Sequence, residues 1–385
     1  MRSVILKPGR EKSVLNRHPW IFSGAITSLP PFSDGEVLSV HASNGTFLAK
    51  AFFHSTNSIS GRILTFEDEP TETALYKRLD EAIAIRSKMF NPALTNCFRL
   101  VNAEGDGLSG LIVDLYDTVG VIQVTTKGME LLKEKIIAYL VNKLPVVAIF
   151  EKSESQARIQ EGLAPITGLV YGQMPETLIC KENGTLFYID ILKGQKTGFF
   201  LDQREMRKLV YELKPKRVLN CFAYSGGFSL FALKAGAQFV ESVDVSEKAC
   251  QLALQNSSLN GFSGHKVTCC DVFDYLRSSP LDFDLVILDP PAFAKKRSDV
   301  NDACRGYKEI NRQVLQKIPS GSYLLTSSCS HFVDEQLFRQ VVFQAAVEAG
   351  RSVKICSSHS QAWDHPISIY HKEGSYLKSL LLLVT

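Results

Sequence analysis

The chain has 385 residues, of which 45% are hydrophobic and 22% charged, with a formal net charge of +3. That length exceeds what one hydrophobic core organises, so two or three domains are expected, and the composition excludes a disordered or fibrous chain. So small a net charge does not announce a nucleic-acid partner; any such argument has to come from local clustering. No run approaches the roughly 18 to 20 apolar residues of a membrane span. The basic segment 1–17 lacks the apolar core of a secretory signal, so a cytoplasmic location is expected. The nine cysteines show neither a C-x-x-C pair nor zinc-type Cys/His spacing, so no metal is expected. Most of them read as reduced, buried, small hydrophobes.

Residues 1–68 read as a small β-rich unit, with strand-like runs at 4–6, 36–40, 46–53 and 59–64 and a hairpin signal at Asn44-Gly45. Lys7, Arg10, Lys12 and Arg17 surround one acid, Glu11, ahead of His18 and Trp20. A basic face with aromatics suits RNA, although a tryptophan is more often core. Residues 69–180 read as an α+β unit. Leu75, Leu79, Ile83 and Ile85 fit a helix over 71–89; strands follow at 99–102, 111–116, 119–124 and 146–150, with a helix near 129–142. Residues 181–385 open on a hairpin turn at Asn183-Gly184 and then alternate short apolar strands (218–220, 239–244, 266–268, 285–288, 323–326) with helical segments. That is the pattern of a parallel sheet covered on both faces.

In such a sheet, ligands bind beyond the carboxyl ends of the strands. Four strand ends carry suggestive residues. The first is followed by Asn220-Cys221-Phe222-Ala223-Tyr224-Ser225-Gly226-Gly227, a glycine turn leading into a helix, where backbone can approach a ligand closely. The second ends in Asp244, placed for a ribose diol; the third is followed by Asp271, placed for an adenine edge. The fourth runs into Asp289-Pro290-Pro291-Ala292-Phe293, where two prolines fix an extended turn and Phe293 is set to stack on a planar base. Each has a plainer reading: Gly226 and Gly227 as close helix packing, Asp244 as a helix N-cap, Phe293 as core, and Lys295-Lys296-Arg297 as a solvated charge run rather than a phosphate contact. The first two features would suit a nicotinamide oxidoreductase equally well; Asp-Pro-Pro would not.

Together these features resemble class I S-adenosylmethionine-dependent methyltransferases. His18-Pro19-Trp20-Ile21-Phe22-Ser23-Gly24, Gly105-Asp106-Gly107-Leu108-Ser109-Gly110 and Gly194-Gln195-Lys196-Thr197-Gly198-Phe199-Phe200-Leu201-Asp202-Gln203-Arg204 resemble, more closely, the large-subunit (23S) ribosomal RNA cytosine-C5 methyltransferase family of the RlmI type, over essentially the whole chain. The resemblance implies an α/β fold with three domains: an N-terminal PUA-like RNA-binding β-barrel (1–68), a middle α+β domain (69–180) and a Rossmann-like methyltransferase domain (181–385). It implies S-adenosylmethionine as cofactor and large-subunit ribosomal RNA as partner, with a homodimer as one expected assembly.

It also implies that Cys329, in Thr326-Ser327-Ser328-Cys329-Ser330-His331, is a nucleophile. Carbon 5 of cytosine is unreactive until a thiolate adds at carbon 6, which explains the need for a thiol. Asp289 would then hold the N3/N4 edge of the base, with Pro290, Pro291, Phe293 and Lys295 lining the substrate side. Related families carry a second cysteine where this chain has Pro291, so Cys329 would act alone. The donor would be held by Asn220, Phe222, Ser225, Gly226, Asp244, Asp271 and Asp289, with the 194–204 loop closing over it through Asp202 and Arg204. His331 reads either as a neighbour that lowers the thiol pKa or as a plain surface histidine. Two other functions stay open: guanine methylation at N7 or the exocyclic amine, which needs no thiol, and a non-catalytic RNA-binding or ribosome-assembly factor.

Overall fold

The computed structural model describes residues 2–385 and divides into two compact units: residues 2–180 with 189–198 and 364–374, and residues 181–188 with 199–363 and 375–385.

The first unit holds two sheets. One contains β1 (Ser3–Leu6), β2 (Trp20–Phe22), β3 (Ile26–Ser28), β4 (Val37–His41), β5 (Phe47–Phe53) and β6 (Ile59–Thr65) in the order β2-β6-β5-β4-β1-β3. The other contains β7 (Cys97–Asn102), β8 (Leu111–Tyr116), β9 (Val119–Val124), β10 (Ala148–Ser153) and β11 (Ile166–Gly172) in the order β11-β10-β9-β8-β7. As expected, Asn44-Gly45 turns the chain between β4 and β5, with Gly45 at φ 85° and the Asn44 Oδ1 accepting from Thr46 N. Helices Thr71–Met89 and Lys127–Lys143 form where expected; in the first, Leu75 and Leu79 are buried and Ile83 packs partly buried against them, whereas Ile85 is 45% exposed and lies outside the core. Phe52 and Leu64 pack into one core with Leu75, Leu79, Val113 and Ile136. That shared core is the physical reason the first two expected domains form a single compact unit.

Two of the sequence motifs find their explanation here. Arg86, fully buried, makes paired bonds to Asp106 of Gly105-Asp106-Gly107 and donates to the Asp364 carbonyl at 2.8 Å. A Cβ on Gly105 would stand 1.9 Å from the Pro366 carbonyl oxygen, so only glycine admits the 364–374 segment there. Trp20 donates from Nε1 to Glu104 at 2.9 Å, and its ring lies 4.4 Å from that of His371. The His-Pro-Trp and Gly-Asp-Gly motifs therefore seat the 364–374 segment, and Trp20 is a packing residue rather than part of an open basic face.

The second unit begins at residue 181, within the hairpin of β12 (Ile179–Glu182) and β13 (Thr185–Tyr188). Its main sheet has seven strands: β14 (Arg217–Cys221), β15 (Phe239–Asp244), β16 (His265–Cys269), β17 (Leu285–Leu288), β18 (Tyr323–Ser328), β19 (Val353–His359) and β20 (Lys378–Val384). The order is β16-β15-β14-β17-β18-β20-β19; β14 to β18 are parallel, and β20 runs antiparallel to both neighbours. The order reverses between β14 and β17, so the carboxyl ends of those strands open the crevice where ligands bind. The α/β fold expected from the sequence is the fold observed. Among the described residues no helix is long and apolar enough to cross a membrane.

One stability prediction arises at β16. His265 bonds to the Ser242 hydroxyl at 2.8 Å, and burial pushes its imidazole down to about 4. The unfolded chain takes up a proton near pH 6.5 while the folded one does not, so stability is lost as the pH falls from about 6.5 towards 4. Urea unfolding across that range is expected to show a loss of roughly 3 kcal/mol. His265→Gln should remove most of that dependence.

Candidate active site

The turn after β14 is built from unusual backbone. Phe222 (φ 60°), Tyr224 (φ 46°) and Gly226 (φ 78°) all adopt left-handed conformations, the first two at a cost for residues with a Cβ. Asp244, at the end of β15, holds them in place: one carboxylate oxygen accepts from Tyr224 N and the other from Ser246 N, each at 2.9 Å. Asp244 thus ties the turn to the next strand while staying half-buried at its rim. Asn220 donates to the Ser229 hydroxyl at 2.9 Å, but its Oδ1 is buried with no partner among the described residues. The same is true of the Ser225 hydroxyl. Buried polar atoms left in that state cost free energy unless a ligand satisfies them. Asp271 is exposed and caps helix Val272–Ser278 by accepting from Asp274 N at 3.1 Å.

The loops after β17 and β18 meet. The Cys329 Sγ lies 3.8 Å from the Pro290 carbonyl oxygen, beside Asp289, whose Oδ1 accepts from Gln203 Nε2 at 2.8 Å. Ser330 fixes this junction: its hydroxyl accepts from Ala294 N at 3.1 Å and sits 2.9 Å from the Tyr307 hydroxyl. Pro290 is buried and Pro291 exposed, while Lys295 to Arg297 form an exposed basic run on the same loop. His331 is exposed.

A family model described as an S-adenosylmethionine-dependent methyltransferase matches residues 159–348, and one described as a PUA-like domain matches 4–66. Ribosomal RNA large subunit methyltransferase I of Alteromonas mediterranea is 41% identical, across 99% of this chain and 98% of that one. The protein of the same name from Vibrio vulnificus is 40% identical, across 98% of each. This chain belongs to the ribosomal RNA large subunit methyltransferase I family. A solved methyltransferase structure, SMU.776 complexed with S-adenosylhomocysteine, is 23% identical with a TM-score of 0.85, covering 99% of this chain and all of that one, and shows the same fold.

Membership in this methyltransferase family makes S-adenosylmethionine the cofactor, and the site suits it. The left-handed turn and the two orphaned acceptors, Asn220 Oδ1 and Ser225 Oγ, stand where the strand order reverses. The remaining expected residues divide. Asp202 is buried, its Oδ2 accepting from the Tyr376 hydroxyl at 2.8 Å. Arg204 is buried with Nε 3.3 Å from Glu182, so its charge answers a neighbouring carboxylate. The expected closing loop is shared between the units. In the first, Thr197 donates to Asp114 at 2.6 Å and Lys152 donates to the Gly194 carbonyl at 2.7 Å. The Phe293 ring packs 4.6 Å from that of Tyr307, with Gly306 leaving it room, which gives it a place in the core.

Sequence reasoning missed Gln203, although it stood inside a quoted motif, because nothing in its spacing points to Asp289. It also missed Tyr307 and Ser330, whose pairing crosses 23 residues.

Proposed function

We propose that this protein methylates carbon 5 of a cytosine in large-subunit ribosomal RNA, with Cys329 as covalent nucleophile and Asp289 as the contact to the base edge. The observation that carries this reading is the juxtaposition of the Cys329 sulfur with the Asp289-Pro290 turn, 3.8 Å from the Pro290 carbonyl. The names of the relatives support the RNA, and the PUA-like match supports an N-terminal unit that binds it.

The thiolate of Cys329 bonds to carbon 6 of the ring, which pushes electron density to carbon 5; after methyl transfer a base takes the carbon 5 proton and the Sγ–C6 bond breaks, returning the thiolate. S-adenosylmethionine supplies the methyl group as a sulfonium. Asp289 accepts from the exocyclic amine of the base, while Gln203 fixes the carboxylate's orientation. Asp244 would hold the ribose of the donor and Asp271 its adenine edge, with Asn220, Phe222, Ser225 and Gly226 completing the residues that would bind it. Pro291 and Lys295 are exposed beyond the turn, where they would meet the RNA chain.

Gln203→Ala is expected to lower the methyl-transfer rate about 10- to 100-fold, the equivalent of one hydrogen bond to a charged group. Steady-state transfer to RNA, set beside calorimetric donor binding, checks this; an unchanged rate would remove Asp289's orientation from the mechanism. Mapping modified nucleotides in ribosomal RNA from cells with and without the gene tests the reading as a whole. Loss of a 5-methylcytosine supports it, and loss of a methylguanine overturns it.

A further inference from the structure

Lys378 is a buried cation that the mechanism above leaves unused. It opens β20, where its Cα pairs in register with Ser328, the last residue of β18. Its Nζ reaches around the following turn to donate to the Ser330 carbonyl at 2.7 Å and to the Tyr376 carbonyl at 2.8 Å. Cys329 is therefore bracketed, by the register partner of Lys378 on one side and by its hydrogen-bond acceptor on the other.

The residue is 7% exposed, and among the described residues its ammonium forms no ion pair with a carboxylate. A buried ammonium satisfied only by carbonyl dipoles is costly, and burial pushes Lys378 down to about 8. The titratable groups around it are few. Asp334 attracts it from a distance while capping helix Glu335–Ala349 through Leu337 N. Tyr307 bonds to the Ser330 hydroxyl, and the Tyr376 hydroxyl is engaged by Asp202. The remaining group, and the one whose ionisation would compensate the cation, is the Cys329 thiol.

We propose that Lys378 is a positioning residue for the nucleophile: its ammonium, anchored on the turn from Ser328 to Ser330, holds the Cys329 sulfur as a thiolate and fixes the direction in which it points. This rests on Cys329 being the nucleophile. A thiolate is the reactive form, and an adjacent cation in a site of low dielectric constant is the usual means of populating it at neutral pH. The exposed His331 is then not required for that role.

The test needs neither RNA nor donor. The full-length protein is alkylated with iodoacetamide from pH 5 to 10, and the rate at Cys329 is followed by mass spectrometry of its own peptide, separately from the other cysteines. The wild-type midpoint is expected below the usual thiol value of about 8.5. Lys378→Met should raise it by about one unit, so that alkylation at pH 7 slows about tenfold. Lys378→Arg should keep it within a few tenths of a unit. A wild-type midpoint at or above 8.5 overturns the proposal, as does a folded Met variant whose midpoint does not move or an Arg variant that shifts as far as Met. Should the Met variant fail to fold, the wild-type midpoint and the Arg variant decide. Failure here, with Cys329→Ala still inactive on RNA, removes Lys378 alone; a low midpoint beside an active Cys329→Ala removes the cytosine mechanism instead.

Discussion

Cys329→Ala is expected to reduce methyl transfer to RNA by at least about a thousandfold while leaving S-adenosylmethionine binding within about twofold. Without the sulfur, no group on the β17 and β18 loops can add to carbon 6, and carbon 5 has almost no reactivity towards a sulfonium. Donor binding should survive because the atoms suited to hold it, at Asn220, Ser225 and Asp244, belong to the ends of β14 and β15. The fold should survive too. Cys329 is only half-buried, and the turn that carries it is fixed by Ser330 through Ala294, Tyr307 and Lys378. Filter-binding assays with labelled donor and calorimetry separate the two effects. A variant that keeps more than a tenth of wild-type turnover would instead match an enzyme that methylates a nitrogen, where the substrate supplies its own lone pair.

Much of the α/β architecture was legible because β14 to β18 are short apolar runs separated by amphipathic helices, and burial on both faces writes itself into sequence as unbroken Val, Leu and Ile. What was not legible has specific causes. β2 and β3 have three residues each, too few to show alternation. β19 is largely exposed along an edge, with Lys354, Cys356 and Ser358 facing out, and so lacks the apolar signature of its neighbours. β11 is another exposed edge strand. β20 is almost wholly buried, yet its Leu380 to Leu382 run sits at the chain's end after a loop that gave no sign of returning to the sheet.

At the site, Asp289 and Cys329 could be placed near one another because both follow parallel strands, and adjacent strand ends are close by construction. Gln203 and Lys378 could not. Periodicity reports which face of an element is buried, whereas the bond from Gln203 to Asp289 spans 86 positions and that from Lys378 to Ser330 spans 48. The motif around Arg204 was visible as a motif, but its sequence could not say that Arg204 would lie beside Glu182. The Gly-Asp-Gly motif shows the same limit, since its reason is the Pro366 carbonyl lying far along the chain.

Glu182→Ala should destabilise the second unit by about 3–5 kcal/mol. Glu182 is fully buried on the β12–β13 hairpin and stands between two arginines that are themselves 2% exposed. Its Oε2 accepts from Arg207 Nη2 at 2.7 Å, with Arg204 Nε 3.3 Å from the same oxygen. Arg207 continues outward, donating to the Phe200 carbonyl at 2.9 Å and lying over the Phe199 ring at 4.5 Å. One carboxylate thus anchors the segment that delivers Gln203 to Asp289. Removing it leaves two guanidinium groups buried without their counter-ion, which costs far more than an exposed pair would. Glu182→Gln keeps the shape and one acceptor, and should lose less while still lowering the midpoint of urea unfolding. Since Gln203 follows the anchored segment, the Gln variant should also show a turnover deficit approaching that of Gln203→Ala under conditions where it is fully folded. A Glu182→Ala protein that unfolds at the wild-type urea concentration would mean that the two arginines find water or other acceptors at little cost, and that the buried carboxylate is not what holds the segment.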